Sequence, residues 1–313
     1  MTITVLNALL RPLLEPRLPD WVDVRWYASK DEAFALAPVA EIGWFDMHSK
    51  QDMAQVFSLA ARLRWLNSVY AGVESFPLEL LRQRGVVLTN GAGINAVPIA
   101  EYVVMLMLAH AKNYREVFRA QDRHEWLKGM PGVAELHGSA ALILGYGGIG
   151  QEVERRLAAF GVEVTKVRRT PGPGTLGPDQ WRARLGEFDW IVIAVPATAE
   201  TEHLIGTAEL AAMKPNAVLV NVARGSVIDQ DALVAALDAR RIGGALLDVT
   251  TPEPLPAGHP LWSLDNAQVT MHLSGRGPMD RMFARAAERF LANLDRWHAG
   301  EPVAPQVDLA LGY

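Results

Sequence analysis

The chain has 313 residues, half of them hydrophobic, and a net charge of -5, with 30 basic residues dispersed among 35 acidic ones. This length and apolar content predict a large buried core and favour two domains. The dispersed charge leaves no basic patch for nucleic acid, and the absence of cysteine excludes disulfides and thiolate sites. The first 20 residues lack a cationic leader, and no apolar run approaches the ~20 residues of a membrane span. We therefore expect a globular, cytoplasmic protein without nucleic-acid or membrane partners.

The first ninety residues alternate between short β-rich runs and helical patterns, which indicates a parallel sheet. The strand candidates are ITVLNAL, VDVRWY, EIGWF, LRWLNSV and VVLTN. The helical patterns include DEAFALA and PLELLRQRG. A single long helix is predicted from about Pro98 towards Trp126, where it would connect two domains.

The second half repeats the alternation with six strands that are mostly apolar on both faces, as a sheet covered by helices on both sides requires. The six candidates are ALIL, VEVTKV, WIVIAV, AVLVNV, GALLDV and AQVTMH. QEVERRLAAFG and DQDALVAALDARRIG supply helical crossovers, and a last helix is expected from about Met279 to Gly300. This arrangement predicts the doubly wound α/β fold that binds dinucleotides.

A glycine motif, Gly145-x-Gly147-x-x-Gly150, lies between the first of these strands and an amphipathic helix. Gly145 permits a tight turn, Gly147 lets the backbone approach a pyrophosphate, and Gly150 lets the helix pack closely on the strand. The helix N-terminus then offers N–H groups to phosphate. A glycine-rich turn without a ligand is the alternative.

Two adjacent arginines stand where such a fold usually has an acidic residue that binds the adenosine ribose. Arg168 lies 18 residues after Gly150 and is followed by Arg169 and Thr170. A carboxylate there would repel a 2'-phosphate, whereas two guanidinium groups and a hydroxyl can bind it. The pair predicts a preference for NADP(H), with NAD(H) possible; solvated surface arginines are the alternative.

Three ionisable residues, Arg224, Glu253 and His272, follow strands whose carboxyl ends share one edge of the predicted sheet. A guanidinium can hold the carboxylate and keto oxygen of a 2-oxo acid. A histidine kept charged by a neighbouring carboxylate can protonate that oxygen as hydride arrives. Together they predict ketone reduction, although each has an alternative: a structural ion pair, a solvated loop acid and an interior histidine.

At these residues the chain resembles the D-isomer-specific 2-hydroxyacid dehydrogenase family, within it the NADPH-preferring glyoxylate/hydroxypyruvate reductase-like branch. The similarity covers essentially the whole chain. The matching motifs are WLNSVYAGVE, AEYVVMLMLA, ILGYGGIGQEV, VNVARGSVID, LLDVTTPEPLP and MHLSG. The resemblance implies a flavodoxin-like substrate domain from residues 1–99 and 284–313, a Rossmann dinucleotide domain from 100–283, a cleft between them, and a homodimer.

The resemblance also implies roles for individual residues. Arg224 would bind substrate, Glu253 would support the catalytic residue and His272 would be the acid/base. Asp248 would accept a hydrogen bond from the nicotinamide carboxamide. The other cofactor-binding residues expected are Gly145, Gly147, Gly148, Ile149, Gly150, Arg168, Arg169, Thr170, Val195, Pro196, Thr201, Ala223 and Ser274.

The substrate carboxylate is expected on the backbone N–H groups of Ala71, Gly72 and Val73. Trp44 and Tyr70 would narrow the pocket for small acids such as glyoxylate, hydroxypyruvate or pyruvate; ordinary core or rim aromatics are the alternative. No histidines have metal-ligand spacing, so no metal is expected.

Two positions depart from the family pattern. Met271 stands where many relatives have proline, and Thr250 where many have phenylalanine, so the pocket floor is expected to differ.

The sequence therefore predicts an oxidoreductase that transfers a hydride between NADP(H) and a 2-oxo or D-2-hydroxy acid. One alternative is a related dehydrogenase with another substrate, such as formate, although formate oxidation needs no acid/base histidine. A second is a dinucleotide-sensing regulator that binds a protein partner through the same fold.

Overall fold

The computed structural model describes residues 1–47, 49–129, 131–132 and 134–312. The chain forms two compact units, one comprising Met1–Asn95 with Gly277–Tyr313 and the other Ala96–Arg276. The functional assignment of the two predicted domains stays a prediction, and each unit is described separately.

The first unit contains a five-stranded parallel sheet in the order β2-β1-β3-β4-β5, which is the flavodoxin-like order. Its strands are β1 (Thr2–Asn7), β2 (Val22–Tyr27), β3 (Ile42–Trp44), β4 (Trp65–Asn67) and β5 (Val87–Thr89). All five predicted strands are therefore present. Successive residues point to opposite faces, so Trp65 and Leu66 lie in different apolar clusters and both faces are buried.

Four helices cover this sheet in the N-terminal part of the chain: α1 (Arg11–Leu14), α2 (Lys30–Leu36), α3 (Lys50–Leu59) and α4 (Leu78–Gln83). Two begin at serine caps, because the side-chain oxygens of Ser29 and Ser49 accept hydrogen bonds from the N–H groups of Glu32 and Asp52. These caps fix where the crossovers start.

The second unit contains a six-stranded parallel sheet in the order β11-β10-β9-β8-β6-β7. Its strands are β6 (Ala140–Leu144), β7 (Glu163–Val167), β8 (Trp190–Ile193), β9 (Val218–Asn221), β10 (Gly244–Leu247) and β11 (Ala267–Val269). All six predicted strands are present. The chain reverses direction across the sheet between β6 and β8, and ligands of doubly wound folds bind beyond the carboxyl ends at such a switch point.

The predicted long helix is two helices, α5 (Ala96–Ala111) and α6 (Tyr114–Asp122). Asn113 adopts the left-handed conformation with φ of 45°, which asparagine tolerates better than most residues and which ends α5. The remaining helices of this unit are α7 (Gly148–Ala159), α8 (Thr207–Ala212) and α9 (Gln230–Asp238).

The last helix, α10 (Met279–His298), belongs to the first unit. Its Phe290 ring lies 5.2 Å from the rings of both Trp44 and Trp65. The predicted C-terminal helix thus completes the core on one face of the first sheet. No helix in the described part of the chain is long and apolar enough to cross a membrane.

Candidate active site

The glycine loop after β6 adopts a conformation that only glycine allows. Gly145 has φ of +98°, and a Cβ there would lie 2.5 Å from the carbonyl oxygen of Ala194. A Cβ at Gly150 would lie 2.4 Å from the carbonyl oxygen of Gly145, so the helix packs closely on the loop. Gly147 instead faces open space, and it caps α7 without any side chain. The loop therefore leaves room for a pyrophosphate at an uncapped helix N-terminus, formed by Gly148 and Ile149.

The arginine pair lies beside this loop. The N–H groups of Gly145 and Tyr146 both donate to the carbonyl oxygen of Val167, at 3.2 and 3.0 Å, and Arg168 is the next residue. Arg168, Arg169 and Thr170 are all exposed. Within the described part of the chain, no carboxylate forms an ion pair with Arg168.

Glu154, on the helix that follows the glycine loop, is engaged with other residues. Glu154 accepts hydrogen bonds from Lys166 Nζ at 2.6 Å and from the Tyr146 hydroxyl. The hydrogen bond to Glu154 raises the pKa of Tyr146, while the positive charges of Lys166 and Arg168 act in the opposite direction. The Arg168 guanidinium is therefore close enough to affect the pKa of Tyr146, which belongs to the glycine loop.

The loop after β8 contributes three more predicted cofactor residues. The Thr201 hydroxyl donates to the carbonyl oxygen of Pro196 at 2.6 Å and accepts from the N–H of Thr198 at 2.8 Å. Val195 lies against the glycine loop, because a Cβ at Gly145 would be 2.7 Å from its nitrogen. The structure therefore brings these residues together with the glycine motif.

His272 and Glu253 form a pair at the ends of neighbouring strands. The distance between His272 Nδ1 and Glu253 Oε2 is 2.9 Å, and Glu253 Oε1 accepts a hydrogen bond from the N–H of Thr250 at 3.1 Å. The two side chains are 49% and 40% exposed, so solvent reaches both. Because Nδ1 is directed at the carboxylate, Nε2 is the ring nitrogen left to exchange a proton with a ligand.

Asp248 anchors the loop that carries His272. Its buried carboxylate accepts hydrogen bonds from the Thr270 hydroxyl at 2.7 Å and from the N–H groups of Leu273 and Ser274 at 2.8 and 2.9 Å. Its carbonyl oxygen accepts from the N–H of His272, which has φ of +54°. These bonds hold an unusual backbone conformation in place. The direct contacts predicted for Asp248 and Ser274 with the cofactor stay predictions.

Arg224 follows β9 and packs beside the Glu253 loop. Its Nη1 donates to the carbonyl oxygen of Ala223 at 2.8 Å, and its own carbonyl oxygen accepts from Asn221 Nδ2. A Cβ on Gly225 would lie 2.1 Å from the backbone of Thr250, so the two loops are in direct contact. The predicted trio therefore comes from the adjacent carboxyl ends of β9, β10 and β11.

In the first unit, the loop after β4 presents three consecutive backbone donors. Across the described residues, the N–H groups of Ala71, Gly72 and Val73 have no acceptor. Asn90 Nδ2 donates to the carbonyl oxygen of Ala71 at 2.7 Å, which orients this loop. Consecutive unpaired N–H groups of this kind form a concave site for an anion.

The two aromatic residues predicted to line the substrate pocket, Trp44 and Tyr70, differ in burial. Trp44 is 1% exposed, packs against Phe290, and donates from Nε1 to Asp46 at 2.6 Å. The prediction for Trp44 is therefore corrected to its alternative, a core aromatic, because its indole is enclosed. Tyr70 is half-buried, and its pKa is raised by burial and then by the charge of Asp46.

A cavity of about 340 Å³ adjoins His272 and Glu253. Thr250 lines it together with Trp262 and the exposed Met271. Met271 and Thr250, the two residues expected to depart from the family pattern, thus line the same cavity.

Sequence reasoning missed Asp46, Ser68 and Asn90, which organise the Ala71–Val73 loop. Each follows a strand of the first sheet at its carboxyl end. Polar residues directly after the strands of the first domain carry the same sequence signal as the trio in the second.

The doubly wound sheet carries a glycine loop and a His272–Glu253 pair at its carboxyl edge, features of a dinucleotide-dependent oxidoreductase. Residues 104–274 match the sequence model described as D-isomer specific 2-hydroxyacid dehydrogenase, NAD binding domain. The chain belongs to the D-isomer-specific 2-hydroxyacid dehydrogenase family. It is an oxidoreductase that transfers a hydride between a nicotinamide dinucleotide and a 2-oxo or 2-hydroxy acid.

Three relatives illustrate the similarity. Glyoxylate/hydroxypyruvate reductase B of Pectobacterium atrosepticum is 35% identical over 260 residues, which cover 79% of this chain and 81% of the relative. The crystal structure of a D-isomer specific 2-hydroxyacid dehydrogenase family protein from Aeromonas salmonicida has a TM-score of 0.84 and 29% identity, covering 98% of this chain and 99% of that one. A D-isomer specific 2-hydroxyacid dehydrogenase from Xanthobacter autotrophicus, in complex with NADPH and MES, has a TM-score of 0.78 and 28% identity, covering 100% and 99%.

Proposed function

We propose that this protein is an NADPH-preferring reductase of small 2-oxo acids such as glyoxylate or hydroxypyruvate, reversible as a D-2-hydroxyacid dehydrogenase. The observation that carries the proposal is the exposed Arg168 next to the glycine loop. A guanidinium there attracts a 2'-phosphate, which NADPH has and NADH lacks. The Xanthobacter relative in complex with NADPH and the name of the Pectobacterium relative support the same choice.

The second unit has the features that a dinucleotide requires. Gly147 and the first turn of α7 would bind the pyrophosphate, and Arg168, Arg169 and Thr170 would bind the 2'-phosphate. Arg169 already has a partner within the protein, so Arg168 is expected to contribute more. When bound, the nicotinamide supplies the hydride.

The protein side chains would supply orientation and the proton. Arg224 would hold the carboxylate and the keto oxygen of the substrate, so that the carbonyl carbon is presented in one orientation. His272 would donate a proton from Nε2 to the oxygen, while Glu253 holds Nδ1 and stabilises the imidazolium form. A positioned acid of this kind typically contributes about 100-fold to 10,000-fold.

The remaining parts of the proposal concern the substrate and the assembly. The N–H groups of Ala71, Gly72 and Val73 would bind the substrate carboxylate, and the half-buried Tyr70 would narrow the space for its side chain. Residues 1–99 with 284–313 would thus bind substrate, and residues 100–283 the cofactor. A homodimer and a cytoplasmic location complete the proposal, and both rest on the family resemblance.

Steady-state oxidation of NADPH and NADH, compared with four acceptors, tests this function. The acceptors are glyoxylate, hydroxypyruvate, pyruvate and a bulky phenyl-substituted 2-oxo acid. We expect higher kcat/KM with NADPH than with NADH and with the small acids than with the phenyl compound. Equal use of the two cofactors would refute the role of Arg168. The absence of turnover with every pair would instead favour a dinucleotide-sensing regulator or another substrate.

A further inference from the structure

The loop after β4 divides its backbone donors into two groups. Its first three N–H groups are used inside the protein: Ser68 donates to the carbonyl oxygen of Thr89 at 3.0 Å, Val69 to Asp46 Oδ2 at 3.1 Å, and Tyr70 to Ser68 Oγ at 3.0 Å. The next three, in the segment 71–73, have no acceptor in the described part of the chain. Something must therefore fix which N–H groups turn inward and which remain for a ligand.

Asp46 is at the centre of the inward group. Its Oδ1 accepts from Ser68 Oγ at 2.6 Å, and its Oδ2 accepts from Trp44 Nε1 at 2.6 Å as well as from the Val69 N–H. Asp46 follows β3 and Ser68 follows β4, and these strands are parallel neighbours. The carboxylate thus ties two strand ends to the first residues of the loop with charge-assisted hydrogen bonds, the strong kind.

The opposite side of the loop is rigid for a different reason. A Cβ on Gly91 would lie 1.8 Å from the carbonyl oxygen of Val69, and the Gly91 N–H donates to the carbonyl oxygen of Tyr70 at 2.7 Å. Backbone therefore presses against backbone on that side. The side that faces Asp46 is held by the side chains of Asp46 and Ser68, so a substitution there can change the orientation of the loop.

We infer that Asp46 is a positioning residue that sets the 71–73 N–H groups in the orientation that binds the substrate carboxylate. Asp46 acts through Ser68 and Val69, because a carboxylate in direct contact with the substrate carboxylate would repel it. The inference rests on the proposed function for the identity of the anion. It does not depend on that function for the structure of the loop.

The test compares Asp46→Asn with the wild-type enzyme. Asparagine has the same size but removes the charge and one of the two acceptor oxygens. We expect the KM for glyoxylate to rise about tenfold or more, with kcat within about threefold and the dissociation constant of NADPH within about twofold. Ser68→Ala is the second variant and should change KM in the same direction. Asp23→Asn, which alters a surface ion pair with Arg25, is the matched control and should change nothing.

Hydrogen exchange of the cofactor-free protein is measured in parallel, over residues 66–76. Exchange in this segment should be faster in Asp46→Asn and unchanged in Asp23→Asn. Faster exchange with an unchanged KM would overturn the inference, since the network would then be structural only. Unchanged exchange would also overturn it. A wild-type enzyme that reduces no 2-oxo acid would contradict the proposed function, and the exchange result would then decide the loop's part of the inference by itself.

Discussion

Replacement of Arg168 by alanine is expected to weaken NADPH binding selectively. A hydrogen bond to a charged group contributes about 1.5 to 3 kcal/mol, and the exposure of Arg168 favours the lower value because water competes for the guanidinium. A loss of about 1.5 kcal/mol corresponds to about a tenfold increase in the dissociation constant. NADH has no 2'-phosphate, so its dissociation constant should change less than about twofold to threefold.

The assay is a titration of each cofactor by fluorescence, in wild type, Arg168→Ala and the control Arg155→Ala. Arg155 is an exposed arginine of the same unit that pairs with Glu152 on the helix following the glycine loop. The wild-type preference for NADPH should also decrease between ~0.1 M and ~1 M salt, since the Debye length falls from ~10 Å to ~3 Å. Equal weakening of both cofactors, or an equal effect of Arg155→Ala, would refute the reasoning.

Three further predictions follow from the geometry. Glu253→Gln should lower kcat about tenfold without changing cofactor binding, because the variant lacks the 40% exposed carboxylate that stabilises the imidazolium. Steady-state kinetics check this, with Glu163→Gln, at an exposed glutamate, as the control. Gly225→Ala should destabilise the protein by about 1 to 3 kcal/mol and reduce activity, because the new Cβ meets the Thr250 backbone, whereas Gly258→Ala has open space; thermal unfolding of both variants decides. Burial lowers the pKa of His110, so as pH falls below ~6.5 the unfolded state binds a proton before the folded state does. The free energy of unfolding, measured with urea, should therefore decrease below this pH, and should decrease less in His110→Gln.

The sequence was sufficient to predict both sheets because most of their strands are short apolar runs, although β2 and β7 also carry charged residues. It was equally sufficient for the glycine loop, where the spacing of Gly145, Gly147 and Gly150 between a strand and a helix has few other uses. The break between α5 and α6 was not predicted, because it depends on the left-handed conformation of Asn113 within an otherwise helical pattern.

The environment of single side chains was harder to predict. Trp44 was assigned to the substrate pocket because a strand end and a core position have the same apolar signature in sequence. The structure encloses it against a helix more than 200 residues later in the chain. Asp46 was missed because ionisable residues at strand ends were considered only in the second domain, although its donors, Ser68 and Val69, follow the neighbouring strand of the first sheet.

The pairing of His272 with Glu253 was predicted, but the means of holding it was not. His272 has a left-handed backbone conformation that the bonds to Asp248 maintain. A positive φ at a residue other than glycine depends on the surrounding structure, so the sequence alone does not reveal it.

The central claim is that His272 supplies the proton as hydride reaches the substrate. The measurement that tests it most directly compares His272→Ala with wild type in two assays, turnover of a 2-oxo acid with NADPH and titration of NADPH fluorescence. We predict that turnover falls at least about 100-fold while the dissociation constant of NADPH stays within about twofold. Retained turnover, or an equal loss of turnover and cofactor binding, would contradict it.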